Sequence, residues 1–391
     1  MKKILFATTA LVAGAGIANA QDADLGVAVT GFAELGVFDP GDDEELQFHT
    51  DIDVTFTMTG ETDSGLSFGA NIDLDESDTD TTVEGIVVQE QDDDGGAGEG
   101  GGGQLVADDI EVGGSPAFDN STQGGESIFL QGPFGTLTMG DTDGSFDWAL
   151  EEAIIGSAIN DDHEHAGYTG NGGLDGTYDG QIVRYERTIA GFGVAVSAEI
   201  DDDGSNDPVL GIGARYDTEF GSFQGNPIAI GFGLGYQRID AFDPIDDIQD
   251  VVDGDDDDED DGDTRDIIGV SADIDLGGGL RAIVNYSEGD DGDGDDFDHV
   301  GIAVGYTIDA LTIAANYGHR NNPGVVRVND DGDPILTDAG EEILDDADAS
   351  GYGLVVNYDL GGGAEAQFGY GHSDTGGDDN NTYSAGIAIS F

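Results

Sequence analysis

Residues 46–75 read LQFHTDIDVTFTMTGETDSGLSFGANIDLD, and the order of these side chains decides the fold. Phe48, Ile52, Val54, Phe56 and Met58 fall on one face, and Asp51, Asp53, Thr55, Thr57 and Thr59 on the other. Residues 60–65, rich in Gly, Asp and Ser, read as a turn. Beyond it Leu66, Phe68, Ala70, Ile72 and Leu74 alternate with Ser67, Gly69, Asn71, Asp73 and Asp75. Successive strand side chains point to opposite faces, so the stretch predicts an antiparallel hairpin with one apolar and one polar face.

The same alternation recurs in 266–288, 299–320 and 351–373, around short turns at Gly277–Gly279, Ile308–Ala310 and Gly361–Gly363. Long acidic segments, 243–265, 289–298 and 321–349, separate these hairpins. Short turns alternating with long polar loops are the signature of a transmembrane β-barrel with periplasmic turns and external loops. The expected strands are 24–38, 46–59, 66–75, 126–131, 136–141, 181–189, 192–200, 209–218, 226–240, 266–275, 280–288, 299–307, 311–320, 351–359, 364–373 and 382–391. The fold class is therefore all-β: a 16-stranded antiparallel barrel, wide enough for an aqueous channel. A soluble sandwich or solenoid would bury the apolar face. The clean apolar face, with Tyr286, Tyr306, Tyr317, Tyr358 and Tyr370 near strand ends, suits lipid and its interfacial aromatic girdles instead. The opposite face, built of Asp, Asn, Thr, Ser and Gly, suits a water-filled lumen.

Composition narrows the function. The 391 residues carry 85 Asp plus Glu against 10 Lys plus Arg, a formal net charge of -75. With no basic footprint to displace counterions, nucleic acid is excluded as a partner. There are no cysteines, hence no disulfides, thiolate nucleophiles or zinc–thiolate sites. Met1-Lys2-Lys3, an apolar run from Ile4 to Ile17 and Ala18-Asn19-Ala20 form a signal peptide over residues 1–20. The barrel then occupies 21–391.

Apparent catalytic motifs dissolve in context. Gly65-Leu66-Ser67-Phe68-Gly69 has the G-x-S-x-G form, but strand alternation continues through it, with no helix to complete a nucleophile elbow. Gly98–Gly103 fits G-x-G-x-x-G within an acidic, glycine-rich loop and lacks a helix to meet a phosphate. His163-Glu164-His165 is not H-E-x-x-H. No catalytic residue is expected. Clustered loop carboxylates suit Ca²⁺, but a solvated, highly charged surface is the plainer reading, and no cofactor is required. Asp257 as the first position of an EF-hand would put Ile268 where its terminal Glu belongs.

The chain ends TYSAGIAISF, with Tyr383, Ile387, Ile389 and Phe391 on one face. This resembles the assembly signal of bacterial outer-membrane proteins, read by the barrel-assembly machinery. The stretch SIFLQGPFGTLTMGDTDG, 127–144, is similar to the hairpin before the third loop of Gram-negative general porins, in particular the Rhodobacter-type porins of alphaproteobacteria. The resemblance implies a homotrimer in outer-membrane lipid that passively admits small hydrophilic solutes, with a third loop folded into the pore. Here that loop is 141–180. It carries Asp141, Asp143, Asp147, Glu151, Glu152, Asp161, Asp162, Glu164, Asp175 and Asp179 and no Lys or Arg, so cation selectivity is expected. Strand parity turns Arg184, Arg215, Arg281 and Arg320 toward the lumen as a basic wall opposite the loop. A substrate-specific porin is the alternative, and a soluble secreted calcium-binding β-rich protein a more distant one.

Overall fold

The computed structural model describes residues 25–41, 45–75, 122–178, 180–201, 207–239, 264–290, 296–321, 325–326, 344–345, 348–375 and 378–391. The expected signal segment 1–20, the glycine tract 95–103, the acidic run 255–261 and Asp179 lie outside them. In chain order the barrel strands are β1 (Gly26–Asp39), β2 (Gln47–Glu61), β3 (Ser67–Asp75), β4 (Thr122–Gly132), β5 (Gly135–Asp141), β6 (Gln181–Ile189), β7 (Phe192–Glu199), β8 (Val209–Phe223) and β9 (Asn226–Ile239). They continue with β10 (Arg265–Gly277), β11 (Leu280–Asp290), β12 (Asp296–Ile308) and β13 (Leu311–Asn321). A two-stranded ribbon of β14 (Val325–Val326) and β15 (Leu344–Asp345) stands apart, and β16 (Ala349–Gly361), β17 (Ala364–Thr375) and β18 (Asp378–Ser390) complete the wall.

Each wall strand pairs antiparallel with its neighbours, and β18 pairs with β1 from Asp39↔Tyr383 to Phe32↔Ser390, which closes the ring at sixteen strands. Phe391 adds the last rung: its N–H donates to the Gly31 carbonyl at 2.9 Å, and the Gly31 N–H to the Phe391 carbonyl at 3.4 Å. Closure leaves no edge with unpaired backbone, the condition for crossing a membrane in strands. Side chains are arranged inside out. In β12, Val304 is 45% exposed on the outer face while Ala303 beside it is 1% exposed, packed within the barrel. Among the described residues no helix is long and apolar enough to span a membrane.

Several strands run past their expected ends, among them β18, which begins at Asp378 rather than 382. β4 begins at Thr122 rather than 126, and β8 runs to Phe223 rather than 218. The β8–β9 ladder continues across a register shift between Glu219 and Ser222 to the left-handed turn Gln224–Gly225. At 277–279 three consecutive glycines have φ of 71°, 68° and 90°. Non-glycine residues rarely enter that region, so the three-glycine turn is a backbone requirement.

Candidate functional site: a loop lining the lumen

The connection between β5 and β6 does not leave the barrel. It begins with the short helix α1 (Ser145–Ala149), whose first free N–H groups find partners outside the helix: Gly144 N–H donates to Asp175 Oδ2 at 2.8 Å and Ser145 N–H to Ser197 Oγ at 2.8 Å. Phe146 and Leu150 pack with Leu174, Val209, Ile239 and Ile267, a small apolar core between loop and wall. The loop then follows the wall round. Glu151 N–H reaches Ser271 Oγ on β10 at 2.9 Å. Asn285 on β11 donates to the Glu151 carbonyl at 3.2 Å, Asn316 on β13 to that of His163 at 3.3 Å, and Asn357 on β16 to that of Ser157 at 2.7 Å. Ala166 N–H donates to Ser373 Oγ on β17 at 2.9 Å, Thr382 on β18 to the Asp162 carbonyl at 2.9 Å, and Asn160 N–H to Glu34 on β1 at 3.1 Å. The returning end is held by one carboxylate: Glu199 accepts from the N–H groups of Gly176, Tyr178 and Gly180 at 3.0, 3.1 and 2.8 Å. Leu174 N–H donates to Gln237 Oε1 at 2.7 Å.

The described residues of 141–180 thus lie within the lumen, with their acidic side chains distributed along the loop. Asp141 ends β5 at the rim, and Asp143 follows, its carbonyl accepting from Arg184. Asp147 is buried in α1, and Asp162 is buried against β18. Glu151, Glu152, Asp161 and Glu164 are half-exposed. Glu152 accepts the Tyr168 hydroxyl. Burial pushes Asp162 and Asp175 up to about 6, in each case with hydrogen bonds opposing the shift. Glu151 is raised by burial and by Asp273, with Arg281 pulling the other way. His165 is lowered to about 4, mainly by burial and then by the neighbouring His299 and His372.

The four arginines do not form a wall that faces the loop across the channel. They lie on β6, β8, β11 and β13, the arc the loop covers. Arg184 also meets Glu186 at 3.3 Å, Arg215 lies over the Trp148 ring at 4.1 Å, and Arg281 makes a bidentate pair with Asp273 at 2.9 and 2.8 Å, 3.9 Å from Glu151. Arg320 stands opposite His299 in the β12–β13 register. Acid and base therefore meet in local contacts. The arc from β2 to β4 carries further acids and amides instead, with Thr55 donating to Asp73 at 3.0 Å and Asn71 to Ser127 at 3.4 Å.

The anchors Glu199, Gln237, Ser271, Asn285, Asn316 and Asn357 escape a reading by sequence pattern. As lumen-facing polar residues in strands they look like solvated wall, and only an amide or acid midway along a strand hints at a partner. Among the described residues no group of three or more His, Asp or Glu side chains is arranged to hold a metal ion. The calcium expectation falls largely on loop segments outside the described residues. On the outer surface Tyr383, Ile387 and Ile389 pair across both β1 and β17, with Phe391 at the seam.

Comparison with known proteins agrees with this geometry. Residues 7–378 match the family model described as Gram-negative porin. The porin of Rhodobacter capsulatus is 26% identical over 368 residues, 89% of this chain and 94% of that protein. A porin structure refined at 1.8 Å superposes with a TM-score of 0.58 at 20% identity, covering 94% of this chain and all of the other. OmpT of Vibrio cholerae lacking loop L8 superposes at 0.57 with 13% identity, over 95% of this chain and all of the other. A closed sixteen-stranded barrel, apolar outside and lined by an inward-folded loop, joined to a family match over nearly the whole sequence, places this chain in the Gram-negative porin family as a water-filled diffusion channel of the outer membrane.

Proposed function

We propose that this porin passes small hydrophilic solutes with a preference for cations and works as a homotrimer. The carrying observation is the charge inventory at the loop. Half-exposed carboxylates of Glu151, Glu152, Asp161 and Glu164 line the channel, while Arg184, Arg215 and Arg281 are already engaged by acids, carbonyls or an aromatic ring. Fixed negative groups raise the local cation concentration and deplete anions. The test is a reversal potential across a KCl gradient in planar bilayers. Cation preference at low salt, shrinking as the Debye length falls from about 10 Å at 0.1 M to about 3 Å at 1 M, is expected. Anion preference would overturn the reading.

The trimer rests on the outer surface. All twelve tyrosines occur from Tyr168 onward, so β1–β5 carry none. That arc presents Val29, Phe48, Ile52, Ile128 and Met139 instead. Tyrosine marks the lipid–water boundary, so an apolar arc without it suits contact with another copy. The natural chain lacks cysteine, so Val29→Cys should cross-link between copies and Val304→Cys should not. Cross-linking only at residue 304 would exclude this face.

A further inference from the structure

Where the loop passes, the wall beneath it carries glycine on β8, β9, β10, β12, β13, β16 and β17. A Cβ built on Gly213 would lie 2.0 Å from the Ser145 carbonyl oxygen, and one on Gly233 2.1 Å from that of Ala149. On Gly318 it would lie 2.1 Å from the Gly167 oxygen, and on Gly353 1.8 Å from that of His163. On Gly369 it would meet the Ala158 Cβ at 2.3 Å, where two carbons need about 3.5–4.0 Å. Off the loop's path a wall glycine can have open space beside it. Gly231, on the same lumen face of β9 as Gly233, has nothing nearer than 3.1 Å, and that atom is the movable end of Asp217. The glycines supply depth, while Ser197, Ser271, Asn316 and Asn357 grip the loop's backbone. Glycine in a strand interior weakens the strand, so a lumen wall that repeats it under the loop needs a reason beyond sheet formation.

We infer that these wall glycines are positioning residues that set the width of the channel. The loop's distance from the pore axis is fixed by the missing Cβ atoms under it, and the loop is a fixed lining rather than a swinging gate. The inference rests on the reading of this chain as a channel that the loop narrows. A methyl added to the wall on the loop's path pushes the loop backbone inward. A methyl added elsewhere on the same face does not.

The test moves one methyl between wall and loop in the full chain. Gly369→Ala should lower single-channel conductance and the largest sugar admitted in liposome swelling. Gly231→Ala should match the unmodified protein. The double variant Gly369→Ala/Ala158→Gly transfers the methyl from loop to wall, removes the contact and should restore both values. If Gly369→Ala does not assemble, judged by heat-modifiable migration in detergent gels, the double variant should recover assembly. Unchanged conductance and size limit in Gly369→Ala, or a double variant as defective as the single one, would overturn the inference. An unmodified protein that does not conduct would instead overturn the channel reading on which it rests.

Discussion

Asp162, Asp175 and His165 give the lumen its own pH response. Both aspartates have carboxyls held near 6 by burial, above the ordinary 3.8. A carboxyl raised on folding stabilises the docked loop fully below about 4, and that contribution is lost as pH rises through 6. His165, lowered to about 4, behaves oppositely: its neutral form stabilises the docked loop above 6.5, and the contribution is lost as pH falls from 6.5 toward 4. Between pH 6 and 4 the two effects oppose each other, so the loop stays seated while its charge changes. Cation preference should therefore weaken on acidification with a midpoint near pH 6, while conductance in high salt changes little. Reversal potentials and conductances recorded from pH 8 to 5 check this. An Asp162→Asn/Asp175→Asn variant should show a flatter profile over that window. At this scale parity was legible: Arg184, Arg215 and Arg281 do turn into the lumen. Their loop partners were not, because the meeting of Arg215 with Trp148 or of Arg281 with Glu151 depends on the path the loop takes, and alternation in the strands carries no information about that path.

Elements divide into those set by local pattern and those set by their contacts. The strands belong to the first group, since period-two alternation and three-glycine turns specify hairpins without reference to the rest of the chain. Helix α1 belongs to the second. It spans five residues, has no side-chain N-cap, and is too short to hold by propensity. What holds it is Phe146, 1% exposed in the core against β8, β9 and β10. Phe146→Ala should cost about 3–5 kcal/mol of docking free energy. The expected result is a loop that proteases cut near residues 150–160 in a barrel that still migrates as a folded species. The C-terminal strand offers a contrasting test. Deleting Phe391 removes both backbone bonds to Gly31, the last rung of the closing seam, and should sharply reduce outer-membrane yield. Normal yield would count against this segment as the assembly signal. The ends of β4 and β8 were less legible, because a ladder stops where its partner stops, and the register shift after Glu219 leaves no mark in the alternation.

The whole molecule combines two distributions of charge that sequence alone merges into one number. A net charge of -75 predicts a field, but a field outside the channel and one inside it act differently on a permeating ion. External carboxylates raise the cation concentration near the mouth and are screened within a Debye length. Groups on the loop are met by every ion that crosses, at a distance salt screens poorly. Glu151, Glu152, Asp161 and Glu164 are half-exposed along the lumen lining. The acidic run 255–261 falls in sequence between β9 and β10 and is expected outside the channel. Replacing those four loop acids by their amides should therefore reduce the cation-to-anion permeability ratio at all salt concentrations. Replacing four acids within 255–261 should reduce it only at low salt, with the difference vanishing by 1 M. Recording both variants from 0.1 to 1 M KCl separates the contributions. Equal effects at every concentration would mean that selectivity is a property of total charge and that the loop merely narrows the channel.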